Sequence, residues 1–134
     1  MSKRRAACCC GQLRLECEGE PFRVSVCHCR ECQRRTGSAF GYQARFPREQ
    51  VTHIEGDRTA YRRVADSGNA VTMHFCPRCG STVYWELESM PEVIAVAAGA
   101  FADADFPVPA FSFWEQHKHA WIDSFVDLPL NHSA

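Results

Sequence analysis

The sequence predicts a mostly β fold built from short strands. Several segments alternate apolar and polar residues, which is typical of half-buried strands, and few repeat with the helical period of about 3.6 residues. Glycine and proline separate these segments at short intervals, as in β-rich domains. The chain has 134 residues, 46% of them hydrophobic, which are ordinary values for a folded domain. We therefore expect a single zinc-binding domain over residues 1–134.

Eight segments fit the strand pattern. They are residues 11–18, 22–26, 40–46, 51–55, 59–64, 70–75, 81–87 and 92–101. In the first of them, Leu13, Leu15 and Cys17 fall on one face, because residues two apart in a strand point the same way. This alternation predicts that the face is buried.

The remaining segments are expected to have little regular structure. Residues 30–35 predict one helical turn that ends at Gly37, which can adopt a positive φ. Prolines within 107–109 disfavour strand pairing, so the aromatic side chains of 111–114 are expected to cover an open sheet face. The basic residues 3–5 are expected to be a solvated tail.

Composition excludes several classes of protein. The formal net charge of −1 lacks the basic excess of a general nucleic-acid binder. No apolar run reaches the roughly 18 residues that a membrane span needs. No apolar stretch follows the charged start, so no secretory signal is expected. Nine cysteines, an odd number, favour metal binding in the reducing cytoplasm over a disulfide framework.

The strongest local motif is Cys76-Pro-Arg-Cys79, followed by Gly80. A Cys-x-x-Cys turn supplies two of the four thiolates of a closed structural zinc site. Cys8 and Cys10 can supply the other two, because residues two apart in an extended segment point to the same face. Zinc–sulfur bonds of about 2.3 Å set adjacent sulfurs about 3.8 Å apart, within reach of such a pair. Alternatively, Cys8 and Cys10 are small buried residues.

A second zinc is predicted at Cys27, Cys29 and Cys32, which combine Cys-x-Cys with Cys-x-x-Cys. Three protein ligands and an open fourth position are typical of a catalytic zinc. The intervening His28 should point away from the metal. Another side chain could instead close the site and make it structural; the candidates are Cys9, Cys17, His53, His74, His117 and His119.

The charge of the second site limits its chemistry. Three thiolates on a zinc ion leave one net negative charge, so the metal is a weak Lewis acid. It can still bind an external thiol and release the thiol proton. Arg30, Arg34 and Arg35 lie beside the cluster. They could offset the charge of a fourth thiolate or hold a carboxylate of the ligand, or they could be solvated surface arginines.

These motifs, in this order, resemble those of the glutathione-dependent formaldehyde-activating enzyme family, β-tent zinc proteins related to centromere protein V. The resemblance extends over nearly the whole chain. It is carried by Cys8-Cys9-Cys10-Gly11, Cys27-His28-Cys29-Arg30-Glu31-Cys32, Thr36-Gly37-Ser38-Ala39-Phe40, His74-Phe75-Cys76-Pro77-Arg78-Cys79-Gly80-Ser81, and the weaker Ala97-Ala98-Gly99 and Ala120-Trp121.

The resemblance implies a β-tent of small antiparallel sheets around a structural zinc, with the catalytic zinc on Cys27, Cys29 and Cys32. It also implies a carbon–sulfur lyase-type reaction that joins glutathione to formaldehyde and gives S-hydroxymethylglutathione. Glutathione sulfur would take the fourth position on the metal. Another aldehyde or thiol fits the sequence equally well. Cys9 departs from the family pattern.

Two other functions fit the sequence. The chain could be a non-catalytic zinc module that binds a protein partner, although a scaffold needs only one zinc. It could also sense redox state or metal through its cysteines, which would require a labile zinc and reversible oxidation. Neither a membrane nor a nucleic acid is expected as a partner. The sequence does not set the oligomeric state.

Metal analysis of purified protein separates these predictions. We expect two zinc ions per chain, because two sets of converging thiolates are present. Inductively coupled plasma measurement against the protein concentration checks this ratio. One zinc per chain would remove the argument for a catalytic metal.

Overall fold

The computed structural model of the chain describes residues 2–133, of which strands form the largest part. About 42% of the chain is strand and 19% is helix, which confirms the predicted mostly β class. The strands are β1 Lys3–Ala7, β2 Arg14–Glu18, β3 Arg23–Cys27, β4 Gly41–Pro47, β5 Val51–Glu55, β6 Thr59–Val64, β7 Ala70–Phe75, β8 Thr82–Leu87, β9 Met90–Ala97 and β10 Phe111–Phe113. The α-helix is α1 Arg30–Thr36, and the 3₁₀ helices are Arg48–Gln50, Ala98–Phe101, Glu115–His117 and Ala120–Asp127.

The smaller sheet has the strand order β1-β2-β5, with both pairs antiparallel. Its first strand contradicts the prediction of a solvated tail at residues 3–5. The backbone of β1 pairs with β2, where Arg4 lies opposite Cys17. The guanidinium of Arg4 is 2.9 Å from Glu20, and it stacks 4.9 Å from the Phe106 ring. A basic run can therefore join a sheet when carboxylates and an aromatic ring meet its side chains.

Cys8 and Cys10 lie in a turn after β1, which differs from the extended segment that the sequence predicts. The Gly11 N–H donates to the Cys8 carbonyl at 3.0 Å, and the Cys8 N–H donates to the Leu13 carbonyl at 2.9 Å. Gly11 has a φ of 82°, which a glycine adopts without strain. The turn reverses the chain between β1 and β2, and it still brings the two cysteines together.

The larger sheet has seven strands in the order β10-β3-β4-β9-β8-β7-β6. All its pairs are antiparallel except β10 with β3, where Phe113 lies opposite Cys27. The aromatic run 111–114 therefore extends the sheet edge instead of covering a sheet face, because the backbone of β3 offers it hydrogen-bonding partners. The segment predicted as one strand over 92–101 ends at Ala97 and continues as a 3₁₀ helix.

The two faces of the larger sheet have different environments. One face packs against the smaller sheet to form the main core, where the Leu13, Leu15 and Cys17 face predicted from alternation is fully buried. Burial raises the pKa of the Cys17 thiol to about 12, so this residue stays a neutral core thiol. The opposite face carries a smaller apolar cluster of Val71, Met73, Trp85 and Ala95.

Helix α1 follows β3 directly and lies against the face that carries the smaller cluster. It ends at Gly37, whose φ of 62° and N–H bond to the Gln33 carbonyl confirm the predicted glycine stop. Thr36 Oγ1 donates to the Cys32 carbonyl at 2.8 Å and closes the last turn. Among residues 2–133, no helix has the length and apolar character needed to cross a membrane.

A glycine pair tests the packing of the loop after β5. Gly56 has a φ of 107°, and a Cβ there would overlap the Gln12 carbonyl oxygen; Gly68 has a φ of 88° with open space around it. We expect Gly68→Ala to cost only the strain of the left-handed backbone, roughly 1–2 kcal/mol of unfolding free energy. Gly56→Ala should lose clearly more unfolding free energy, because the Gln12 backbone must also move.

Urea denaturation of the metal-loaded variants measures both losses through the midpoint at constant slope. Equal losses of unfolding free energy in the two alanine variants would show that the Gln12 backbone moves aside at little cost.

Candidate metal centres and the adjoining cavity

The predicted four-cysteine set comes together where the two sheets meet. Cys76 and Cys79 lie in the turn between β7 and β8, and Cys8 and Cys10 lie in the turn between β1 and β2. The Sγ atoms of Cys8 and Cys10 are 3.6 Å apart, and those of Cys10 and Cys76 are 3.7 Å apart. All four sulfurs lie within 4.8 Å of one another. The adjacent spacings match the roughly 3.8 Å expected around a tetrahedral zinc.

Hydrogen bonds orient the sulfurs of this cluster. The Leu13 N–H donates to Cys8 Sγ at 3.3 Å, and the Arg78 N–H donates to Cys76 Sγ at 3.3 Å. The side-chain amide of Gln12 donates to Cys76 Sγ at 3.0 Å and also to the Asp57 carbonyl. Such donors stabilise thiolates, and they fix the sulfurs from outside the coordination sphere.

The four thiols cannot all ionise without a cation. Hydrogen bonds with Ser81 lower the pKa of Cys79 to about 5. At Cys10, a hydrogen bond from the Gln12 backbone lowers the pKa, but burial and the neighbouring thiols raise it to about 11. Negative charges this close repel, so one thiolate forms at the expense of the next. A divalent, thiolate-binding ion removes this conflict, and zinc fits both the donor set and the spacing.

The second set, Cys27, Cys29 and Cys32, lies where β3 passes into α1. Cys27 is the last residue of β3, Cys29 is the N-cap of α1, and Cys32 is in the first turn of the helix. The Cys29 Sγ accepts the Cys32 N–H at 3.3 Å, which is the usual bond of a capping side chain. The three sulfurs lie within 4.8 Å of one another. The strand end and the helical turn thus produce the convergence that the spacing predicts.

Charge is unevenly shared within the three-cysteine set. A hydrogen bond from Cys27, helped by Cys29 and Arg35, lowers the pKa of Cys32 to about 5. The same hydrogen bond, together with burial, raises the pKa of Cys27. A metal ion would again allow all three sulfurs to be thiolates. The donor set fits zinc, and its binding here stays a prediction.

Among residues 2–133, no histidine, aspartate, glutamate or further cysteine joins the three sulfurs within 4.8 Å. The ring of His28 points elsewhere, with Nε2 3.2 Å from Ser112 Oγ. Cys9 and His53 are exposed, Cys17 is in the core, His74 contacts Glu86 at 2.8 Å, and His119 contacts Gln33 at 3.0 Å. His117 lines the cavity beside the cluster but is not within 4.8 Å of its sulfurs. The fourth position therefore faces a cavity.

This cavity has a volume of about 580 Å³ and lies between α1 and the large sheet. Its lining includes all three cysteines and the predicted ligand-binding residues Arg30, Arg34 and Arg35. The other side chains that bear on its chemistry are Gln43, Arg45, Arg63, Asp66, Trp85, Trp114 and His117. Of these, the sequence pattern pointed only to His117, as a possible metal ligand, and to Trp114, as part of an aromatic cover. The remaining residues come from β4, β6, the loop after β6, and β8, and only the curvature of the sheet brings them to the cysteines.

Arg35 is held against Cys32 by close packing. Its guanidinium lies 4.4 Å from the ring of Trp85, and a Cβ at Gly41 would approach Arg35 Nη2 to 2.8 Å and Cys32 Sγ to 3.3 Å. The glycine thus leaves room for both groups beside the start of β4. Arg35 Nη2 is buried without a hydrogen-bond partner among the described residues. This cation is placed to offset sulfur charge.

The segment after β10 forms another wall of the cavity, beside α1. Trp114 has a left-handed backbone with φ of 57°, an unusual conformation for a residue with a side chain. The ring of Trp114 stacks 6.4 Å from that of His117, and both line the cavity. The Gln33 amide ties this wall to α1, because its Nε2 donates to the carbonyls of His28 and His117.

The fold and the two clusters define a β protein with two cysteine sets that could bind metal ions, one of four cysteines and one of three beside a cavity. The sequence profile described as "Glutathione-dependent formaldehyde-activating enzyme" matches residues 3–117. The chain belongs to this family, as its motifs predicted.

A solved structure has a similar fold. The crystal structure of a Rhodobacter sphaeroides protein, a target of Northeast Structural Genomics, superimposes with a TM-score of 0.59. The two sequences are 20% identical, and the alignment covers 81% of this chain and 98% of that chain. At this identity the likeness concerns the fold alone.

Two serine variants test the roles of the two centres. Cys76→Ser removes a buried ligand that joins the two sheets, so we expect it to lose several kcal/mol of unfolding free energy or to fail to fold. Cys29→Ser alters a centre that opens to solvent, so we expect it to lose one metal ion and stay folded. Thermal melts and metal analysis on both variants give the answer. An unfolded Cys29→Ser protein, with Cys76→Ser melting near wild type, would reverse the two assignments.

Proposed function

We propose that this chain is a zinc-dependent carbon–sulfur lyase-type enzyme that joins glutathione, or a similar thiol, to formaldehyde or a related aldehyde. Cys27, Cys29 and Cys32 would hold the catalytic zinc, and the product would be S-hydroxymethylglutathione. Cys8, Cys10, Cys76 and Cys79 would hold a structural zinc. The proposal treats residues 1–134 as one domain, and the free cysteines suit the reducing cytoplasm.

The observation that carries this proposal is the three-cysteine centre, which no other Cys, His, Asp or Glu of the described residues joins and which faces a cavity of about 580 Å³. A structural zinc is normally closed by four protein ligands, whereas an exchangeable ligand needs a free position. A volume of this size suits a small peptide, as typical ligand pockets span roughly 300–1,000 Å³. Family membership supplies the chemical class, because the family is described by its dependence on glutathione and its activation of formaldehyde.

Zinc at this centre would bind the thiol sulfur and make its proton more acidic. The residues of the chain manage the resulting charge. With four sulfurs around a divalent ion the local charge is two negative units, and the Arg35 guanidinium beside Cys32 offsets part of it. The Arg35 guanidinium also packs over the ring of Trp85, which holds it in place.

The proposed reaction balances without an oxidant. The thiol loses its proton, the sulfur forms a bond to the aldehyde carbon, and the carbonyl oxygen accepts a proton to become the hydroxyl group. The imidazole of His117 lines the same cavity and would carry this proton between the two atoms. Trp85 and Trp114 line the same cavity and would bound the space around the sulfur.

Titration of the cobalt-substituted protein with glutathione tests the proposal. Binding of a thiol sulfur to one of the two cobalt ions should change the thiolate charge-transfer absorption, and the change should saturate. Cys29→Ser is the matched control, because it lacks a ligand of the open centre and keeps the four-cysteine centre. An unchanged wild-type spectrum up to roughly millimolar glutathione would favour the non-catalytic zinc module.

Turnover is measured separately, by product formation above a protein-free blank, because thiols add to formaldehyde unaided. A rate that Cys29→Ser retains in full would argue against catalysis at this centre.

A further inference from the structure

We infer that Arg45 and Arg63 recognise the carboxylates of the thiol substrate, so that the cavity selects an anionic, peptide-sized thiol over small neutral thiols. The inference rests on the proposed function, because it assigns specificity within the same site. It concerns two residues outside the cysteine clusters, on strands β4 and β6.

The arginines of the cavity lack the close carboxylate partners that other arginines have. Arg30, Arg35 and Arg45 have no carboxylate oxygen within 4.0 Å among residues 2–133, and Arg34 and Arg63 only reach Glu31 at 3.8 and 3.9 Å. Most arginines elsewhere have a partner at 2.9 Å or less; the pairs are Arg4–Glu20, Arg5–Glu16, Arg14–Glu55, Arg48–Glu86, Arg62–Glu88 and Arg78–Asp57.

The cavity therefore keeps an uncompensated positive charge. Five arginines line it with only two carboxylates, Glu31 and Asp66. Partly buried cations without counterions are costly, and a protein retains them where a ligand supplies the negative charge. Arg30 and Arg34 are exposed, whereas Arg35, Arg45 and Arg63 are partly buried. Arg35 lies beside Cys32, so Arg45 and Arg63 are the partly buried cations left for a ligand.

Arg45 is the cation of the cavity floor. It lies on β4 two residues after Gln43, on the same face, and both line the cavity. Its Nη1 contacts only the sulfur of Met90, at 3.6 Å, and its Nε is buried without a hydrogen-bond partner among the described residues. Burial, followed by the charge of the adjacent Arg23, lowers the pKa of Arg45. An arginine without a counterion in this setting is available to a carboxylate.

Arg63 reaches the cavity from the far edge of the large sheet. Four strand spacings separate β6 from β4, a distance of about 19 Å along a flat sheet. The sheet curves so strongly that Arg63 Nη1 lies 3.9 Å from Glu31 of α1, the residue before Cys32. Its side chain is 17% exposed, and Nε is buried without a partner among the described residues. The weak contact with Glu31 leaves room for a ligand carboxylate.

Strand geometry sets the size of the ligand. Gly41 lies opposite Cys27, and Arg45 is four residues further along β4, which places the two Cα atoms about 13 Å apart. One amino acid spans only about 3.5 Å, whereas an extended tripeptide spans about 10 Å, and the arginine side chain closes the remaining gap. A peptide-sized thiol can therefore reach both the three-cysteine centre and Arg45.

The test compares glutathione with its diethyl ester, in which both carboxylates are blocked and the thiol is kept. Dissociation constants come from titration of the cobalt-substituted protein. We expect the ester to bind wild-type protein at least roughly tenfold more weakly than glutathione, because charge-assisted hydrogen bonds are lost. Arg45→Gln and Arg63→Gln should each weaken glutathione by roughly tenfold and leave ester binding unchanged.

Arg62→Gln is the matched control. Arg62 is the neighbour of Arg63 on β6, but it pairs with Glu88 at 2.8 Å and does not line the cavity. We expect its glutathione affinity to stay within about twofold of wild type. The ligand-free cobalt spectrum and the thermal melt establish that each variant is folded. If Arg45→Gln unfolds, Arg63→Gln alone still decides, because Arg63 lies at a sheet edge.

The inference is overturned if the ester binds as tightly as glutathione, or if folded Arg63→Gln binds glutathione like wild type. Its failure can be separated from failure of the proposed function with S-methylglutathione, which keeps the carboxylates and has no free thiol. Calorimetry should detect binding of S-methylglutathione that weakens in Arg45→Gln and Arg63→Gln. Binding with that dependence, without any glutathione effect on cobalt, would retain the inference and reject the thiol chemistry. If S-methylglutathione does not bind and glutathione does not change the cobalt spectrum, both the inference and the proposed function are rejected.

Discussion

Repulsion among crowded thiolates is the constraint on which this structure depends. Seven cysteines form two groups, and within each group the sulfurs lie within 4.8 Å of one another, a density that negative charges tolerate only around a cation. In the four-cysteine group this requirement joins the turn after β1 to the turn after β7, and therefore one sheet to the other. In the three-cysteine group it joins a strand end to a short helix. A zinc ion bound there would keep one coordination position that the three protein sulfurs do not fill.

The large sheet serves two purposes because its faces differ in polarity. One face is apolar and packs on the smaller sheet, with Phe46, Ile94 and Val96 almost fully buried. The other curves around helix α1 and exposes arginine and tryptophan side chains to a solvent-filled space. The curvature brings Arg63, at the far edge strand, back to Glu31. A flat sheet with the same sequence would bury the same core and would form no binding site.

The features that could be predicted from sequence are those determined by local chain geometry. The glycine stop at Gly37 and the alternation around Leu15 each depend on a few adjacent residues, and both have the expected local form. Each predicted cysteine set also comes together, although Cys8 and Cys10 do so from a turn and not from an extended segment. Arg45 and Arg63 depend on strand order and sheet curvature, which no local pattern contains. The error at β1 has the same origin, because the partners of Arg4 lie at Glu20 and Asp103. The polar alternation of Gln43 and Arg45 in an otherwise buried strand was the one local signal of the cavity.

The side-chain amide of Gln33 has a mechanical consequence. Its nitrogen donates to the carbonyls of His28 and His117, its oxygen lies 3.0 Å from His119, and its backbone belongs to the helix that carries Cys32. The aromatic wall and the metal-binding helix are therefore linked through one residue. A ligand that pushes the Trp114 wall outward must break these contacts or pull on the helix. The shape of a bound ligand therefore affects the positions of the three sulfurs.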